Sequence, residues 1–332
     1  MDEPRSAVLR FSGRNGAAEA GIARIVRARP VRLRRKMTVE EAFRVTVLEC
    51  LAQVAANIPA IVQSREVEGL HQMRVGLRRL HVALNAFGEE FRTPALKNLR
   101  KRTKAFTDTI ALARDLDVFL EELFEGPASA GGRDEAFAIL KNRAETARDA
   151  AWEEAVVSVE SPEFSIFLDD VAVAAETHSW FGAGAFRTRY TADAPVKPTA
   201  SRMLDEHLGR VRKRGRHMRT LDEHDRHRLR IALKKLRYAA EFFAPLFRKK
   251  KVKAYLRRLR SLLEDLGALN DVANVRGTLT RLTLDDQAGR GSADLFFAAG
   301  VISGWHNERA RRLGDSAVEQ WDKFKNLDPF WR

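Results

Sequence analysis

The chain has 332 residues, 45% of them hydrophobic, and a formal net charge of +14. Length and apolar content suit a folded protein with a sizeable core and exclude a disordered polyelectrolyte. One cysteine, Cys50, excludes an internal disulfide framework and a cysteine-based zinc site, and its apolar helical surroundings mark it as a packed core thiol. The N-terminus lacks the apolar core of a secretory signal, and no run of about 18 apolar residues stands out as a membrane span. The expectation is a soluble cytoplasmic protein.

Residues 1–37 are rich in Gly, Ala and Arg and contribute +7, as much as the rest of the chain. They read as a mobile basic tail ending in the linker Pro30, Val31, Arg32, Leu33. From Thr38 onward the pattern is helical. Thr38 followed by Glu41 is a capping-box signature. Helices are predicted over 38–63, 66–90, 95–123, 133–158 and 163–181. A Gly/Pro-rich break spans 182–198, and helices resume over 198–214, 223–247, 250–283, 291–313 and 315–326.

A shift of 156 residues superposes two long segments without a gap. HQMRVGLRRLHVA at 71–83 falls on HRLRIALKKLRYA at 227–239. Phe87 falls on Phe243, Phe91 on Phe247 and Asp115 on Asp271. The expected fold is all-α, with two helical bundles related by a pseudo-two-fold axis.

On the first repeated helix, Leu70, Met73, Leu77, Leu80, Leu84 and Phe87 form an apolar stripe for the core. Beside it runs a basic stripe of His71, Arg74, Arg78 and His81, with Arg79 adjacent. The second copy carries His227, Arg230, Lys234 and Arg237, with Lys235 adjacent. Val75 and Val82 flank the first basic stripe; Ile231 and Tyr238 flank the second. Like charges between apolar flanks are desolvated and mutually repulsive, a cost that an anionic partner offsets. The next helix adds Lys97, Lys101 and Lys104, matched by Lys253, Arg257 and Arg260. If each helix pair forms an antiparallel hairpin, these faces converge on a basic central groove or pore. Arg and Lys donors suit phosphate oxygens there.

The competing reading is that these cations pair with carboxylates in the bundle, with Asp115 and Asp271 the foremost candidates. His71 and His227 suit packing as well as ligand contact. Residues 223–227 (EHDRH) echo metal-dependent phosphohydrolases weakly, without the further ligands such sites need. Neither a phosphate-binding Gly-rich loop nor a nucleophile elbow occurs. Nucleic acid is the stronger rival ligand, because Arg27 to Lys36 can hold phosphate backbones. The stripes, however, lack interleaved aromatics for base stacking.

With HQMRVGLRRL at 71–80, LARDLDV at 112–118, HRLRIALKKLRY at 227–238 and LGALND at 266–271, the chain resembles the CHAD family, the conserved histidine α-helical domains. The resemblance covers 38–332, with a first half at 38–182 and a second at 194–332. It implies a basic channel that binds inorganic polyphosphate and a place at polyphosphate granules beside polyphosphate-metabolising enzymes; from the missing motifs above, no catalysis, cofactor or metal is expected. By position it implies contacts from His71, Arg74, Arg78, His227, Arg230 and Lys234, with Arg114 among their neighbours on the second helices. Two departures stand out: His81 faces Arg237, and Asn270 replaces Arg114. The Glu-x-Glu-x-Lys strand of the triphosphate-tunnel domain that many members carry is not matched, since Glu66 and Glu68 are followed by Gly69 and Leu70.

Overall fold

The computed structural model describes residues 24–87, 93–177, 180, 192–284 and 292–332, without the side chains of 284 and 292. Phe91, most of the predicted break at 182–198 and the helix ends predicted at 88–90 lie outside the described residues. Among the described residues the fold is all-helical, with a lone bridge between Thr38 and Pro195 and no strand.

The first half comprises α1 (Val39–Ala56), α2 (Ile58–Val62), α3 (Val67–Ala86), α4 (Pro94–Thr109) and α5 (Ala111–Val118). A π-helical turn (Phe119–Phe124), α6 (Glu125–Gly131), α7 (Asp134–Glu160) and α8 (Pro162–Thr177) follow. The second half comprises α9 (Val196–Gly215), α10 (Glu223–Phe243), α11 (Lys249–Leu284) and α12 (Ser292–Lys325). The capping box forms as predicted: Glu41 N–H donates to Thr38 Oγ1 at 3.1 Å, and Thr38 N–H to Glu41 Oε2 at 2.9 Å.

Four helix predictions need correction. The single helix expected at 38–63 is interrupted at Asn57, just before Pro59. The single helix expected at 95–123 is interrupted at Ile110 and ends in the π-helical turn, while its counterpart α11 runs unbroken. α6 was not foreseen, being short and rich in Gly, Pro and Ser. The break expected between 313 and 315 is absent, because α12 passes through Gly314; one glycine costs a packed helix only about 1 kcal/mol.

All six members of the α3 apolar stripe are fully buried. At roughly 1.5–3 kcal/mol for each side chain, this stripe is a principal anchor of the first half. In α10, Leu229, Leu233, Leu236, Ala240 and Phe243 are buried likewise. α1 packs on α3 and α3 on α4; α9 packs on α10 and α10 on α11. Gly76 permits the close α1–α3 crossing, since a Cβ there would sit 2.8 Å from Val54 Cγ2. The halves meet where α3 lies against α10, and the matched residues Phe87 and Phe243 touch, with ring centroids 5.6 Å apart. One principal apolar core draws on both halves, and a smaller one joins Phe119, Phe124 and Phe137 to Val275, Leu279 and Ile302.

The mobile-tail expectation fails for residues 24–37. Val31 and Leu33 are buried in the principal core, and Arg35 Nε donates to Leu246 O at 3.2 Å. Val26 exchanges two hydrogen bonds with buried Asn57, at 2.8 and 3.0 Å. Cys50 is a buried thiol as expected, its pKa pushed up to about 11 by burial. The absence of any candidate span also needs qualifying. The segment Val39–Val62 is long and apolar enough to cross a membrane, yet half of it is buried inside the fold.

Candidate functional site

α3, α5, the π-helical turn, α10 and α11 enclose a cavity of about 310 Å³. α3 contributes His71, Arg74 and Arg78; α10 contributes His227, Arg230 and Lys234. α5 and the π-helical turn add Arg114, Asp115, Val118, Phe119, Glu122 and Leu123. α11 adds Asn270, Asp271, Asn274, Val275 and Thr278. Apart from Leu123, every one of these residues has its 156-residue counterpart in the same wall: 71 with 227, 74 with 230, 78 with 234, 114 with 270, 115 with 271, 118 with 274, 119 with 275 and 122 with 278.

Charge is distributed unevenly within these pairs. Arg74 Nη1 lies 3.2 Å from Asp115 Oδ1, and Arg114 lies 3.7 Å from Glu121 and 3.8 Å from Glu122. Arg78, Arg230 and Lys234 have no carboxylate within 4 Å among the described residues. Burial, then Arg78, lowers the Arg74 pKa to about 10 against the pull of Asp115, so its guanidinium stays charged at neutral pH. Burial also lowers Arg230, with Asp271 opposing. Lys234 is the extreme case: burial, then Arg230, Arg78, Arg74 and Arg237, bring its pKa down to about 6. Burial raises Asp271, opposed by Arg230 and Lys234. Burial and Arg114 lower half-buried His71. His227 is exposed, and its Nδ1 donates to Asn270 Oδ1. The result is a partly dehydrated cluster of donors without enough acceptors, the arrangement that binds anions.

The other predicted contacts lie elsewhere. Arg79 is a fold residue, buried, with Nη1 donating to Gln53 Oε1 at 2.7 Å, Nη2 to Arg29 O at 3.1 Å, and its guanidinium over Phe242. It lies about 100° around the helix from Arg78, which turns it inward. His81 is half-buried beside Lys235, Arg100 and Lys104; burial and then Lys235 lower its pKa. Lys97, Lys101 and Lys104 are exposed on α4, and Lys104 pairs with Asp108. Lys253 and Arg257 are exposed on α11. Arg260 pairs with Glu241 at 3.2 Å, and Arg237, whose guanidinium stacks on Tyr238, lies 3.9 Å from the same carboxylate. None of these residues lines the cavity.

The reason is hairpin register. Residues near the α3–α4 connection face each other, so Lys104 meets His81. The segment 71–78, farther from that connection, faces 114–122. The predicted convergence of second-helix lysines therefore occurs along the hairpin, away from the cavity. Sequence reasoning missed Glu122, Asn274 and Thr278 as lining residues, although extending the 156-residue offset seven positions past Asp115 would have reached them. The apolar flanking is mixed: Val82 and Tyr238 are buried, and Ile231 is exposed.

In the stretch 223–227, His224 and Asp225 join Asp222 in an exposed group with ligand atoms within 4.8 Å of one another. Asp222 accepts the Asp225 N–H at 2.7 Å as the α10 cap, and Asp225 lies 3.4 Å from Arg228. These carboxylates serve helix capping and a surface ion pair.

The family described as CHAD domain matches residues 46–280, most of the chain. The chain belongs to the CHAD domain family. This CHAD chain is similar to the crystal structure of the CHAD domain from the plant Ricinus communis, with a TM-score of 0.75 and 26% identity over 90% of this chain and 96% of that one. It shares its fold with PptA from Streptomyces chartreusis, with a TM-score of 0.65 and 17% identity over 86% of this chain and 99% of that one. No curated protein matches it.

Proposed function

We propose that this CHAD chain binds inorganic polyphosphate, without turning it over, in the cavity between α3, α5, α10 and α11. The observation that carries the reading is the meeting of Arg78, Arg230 and Lys234 in one cavity with no carboxylate within ion-pair distance among the described residues. A linear phosphate chain supplies several acceptor oxygens to this cluster, and each charge-assisted bond contributes about 1.5–3 kcal/mol. The paired lining and the Phe87–Phe243 contact support two copies of one ancestral unit about a pseudo-two-fold axis, with the basic cavity between them. A place at polyphosphate granules beside polyphosphate-metabolising enzymes is the cellular extension of this reading.

The test is a polyphosphate titration at several salt concentrations, with duplex and single-stranded nucleic acid as competitors at matched salt. Wild type is expected to bind polyphosphate in preference to both, with affinity falling as salt rises. An Arg78→Gln/Arg230→Gln double variant, folded by circular dichroism, is expected to lose binding. Nucleic acid winning at physiological salt, or unchanged binding by the double variant, overturns the reading. Steady phosphate release with magnesium or manganese overturns its non-catalytic part.

A further inference from the structure

Arginine and lysine both bind phosphate, but of the two only arginine reliably keeps its charge when buried. Lys234 stands where the 156-residue offset places Arg78 in the first half, in a cavity that already holds Arg74, Arg78 and Arg230. Arg237 adds a fourth positive neighbour. Asp115, in the same wall, is already engaged by Arg74, and Asp271 approaches Lys234 without reaching ion-pair distance. The amine therefore sits beside a cavity roomy enough for a small molecule, among guanidinium groups suited to hold a phosphate, with no counter-charge of its own.

We propose that Lys234 is an acylation site for small acyl phosphates, whose phosphate group the surrounding arginines hold. The inference rests on the phosphate-binding reading of the cavity. A lysine becomes a nucleophile when burial and neighbouring cations remove its proton. Lys234 meets that condition, since burial and the flanking arginines bring its pKa to about 6. With the phosphate held, the neutral Nζ attacks the acyl carbon. A carbon–nitrogen bond forms and the carbon–oxygen bond to phosphate breaks, its electron pair leaving on the phosphate oxygen. The amine's proton passes to the departing phosphate, so the products are an amide on Lys234 and inorganic phosphate. Arg78, in the matched position, offers no such nucleophile. Acylation replaces the amine with an amide and places an acyl group in the cavity, which closes it to a phosphate chain.

The experiment incubates the full chain with acetyl phosphate at neutral pH and follows each lysine by mass spectrometry. Lys234 is expected to be acetylated at least about tenfold faster than the exposed Lys249, Lys250 and Lys251, which lie outside the cavity and its arginines. Inorganic phosphate and polyphosphate are expected to protect it, and acetic anhydride, which carries no phosphate, to show a smaller preference. Treated wild type is expected to lose polyphosphate binding relative to untreated wild type, while treatment is expected to leave Lys234→Arg at its own untreated affinity, whatever that is. A Lys234 rate no greater than that of Lys250 overturns this inference even where polyphosphate binds. Fast acetylation protected by inorganic phosphate but not by polyphosphate supports the acylation site and overturns the polyphosphate reading instead.

Discussion

The two copies that line the cavity share their geometry and differ in their charge. In the first, Arg74 is paired with Asp115 at 3.2 Å and Arg114 is close to Glu121 and Glu122. In the second, Arg230 and Lys234 lack such partners among the described residues, and Asn270 stands where the first copy has Arg114. The supporting helices differ as well: the first copy breaks at Ile110 and ends in a π-helical turn, whereas α11 is continuous. Residues matched by the 156-residue offset thus share their place in the wall and differ in how their charge is balanced. The first copy pairs Arg74 and Arg114 from within and leaves Arg78 without such a partner among the described residues, whereas the second leaves both Arg230 and Lys234 without one.

The sharpest way to break this contrast lies just outside the cavity, at the matched pair Arg79 and Lys235. Arg79→Ala strands buried Gln53 Oε1, leaves the Arg29 carbonyl without this donor and is expected to cost about 3 kcal/mol in chemical denaturation. Lys235→Ala, on a half-buried position, is expected to cost under about 1 kcal/mol. Equal losses would show that the two environments are energetically alike.

Within the cavity, Arg230→Gln is expected to weaken polyphosphate binding about 10- to 100-fold by titration calorimetry, the loss of one charge-assisted contact. Asp115→Asn is expected to strengthen it by up to about tenfold, because it releases Arg74 and removes a negative charge from the wall. Weaker binding by Asp115→Asn would mean that Asp115 contributes by orienting Arg74.

Lys234 adds a pH signature to the ligand-free protein. Its pKa is about 6 folded and near the ordinary lysine value of 10.5 unfolded. Between these values the unfolded chain holds one more proton than the folded chain. Stability gained from this residue is therefore complete above 10.5 and is lost as pH falls towards 6. The expected slope is at most about 1.4 kcal/mol per pH unit, checked by denaturant unfolding from pH 7 to 9. Lys234→Met is expected to flatten it. The smallest effects belong to Lys97 and Lys253, exposed and outside the cavity. Replacing either with Gln is expected to change affinity by less than about threefold and to act chiefly on its salt dependence.

Much of this was legible before any coordinates. The 3-4 spacing from Leu70 to Phe87 announces a buried stripe, since periodicity and burial are two views of one helix face. The unbroken offset of 156 residues predicted which side chains would be equivalent, and His71, Arg74, Arg78, Arg114, His227, Arg230 and Lys234 do share one cavity. The role of Arg79 was not legible, because one position along a helix separates a cavity wall from a core, and only the neighbour across the gap, Gln53, distinguishes them. Residues 24–37 misled for a related reason: their composition is that of a tail, but two apolar side chains, Val31 and Leu33, are enough to seat them in the core.

By itself the sequence determined the helical class, the repeat and the types of group available for chemistry, because these follow from short-range periodicity and from side-chain identity. Only the tertiary structure decided which end of each hairpin faces the cavity, which cations are already paired and which amine loses its proton. Those properties depend on distances and burial among residues far apart in the chain, and no local pattern encodes them.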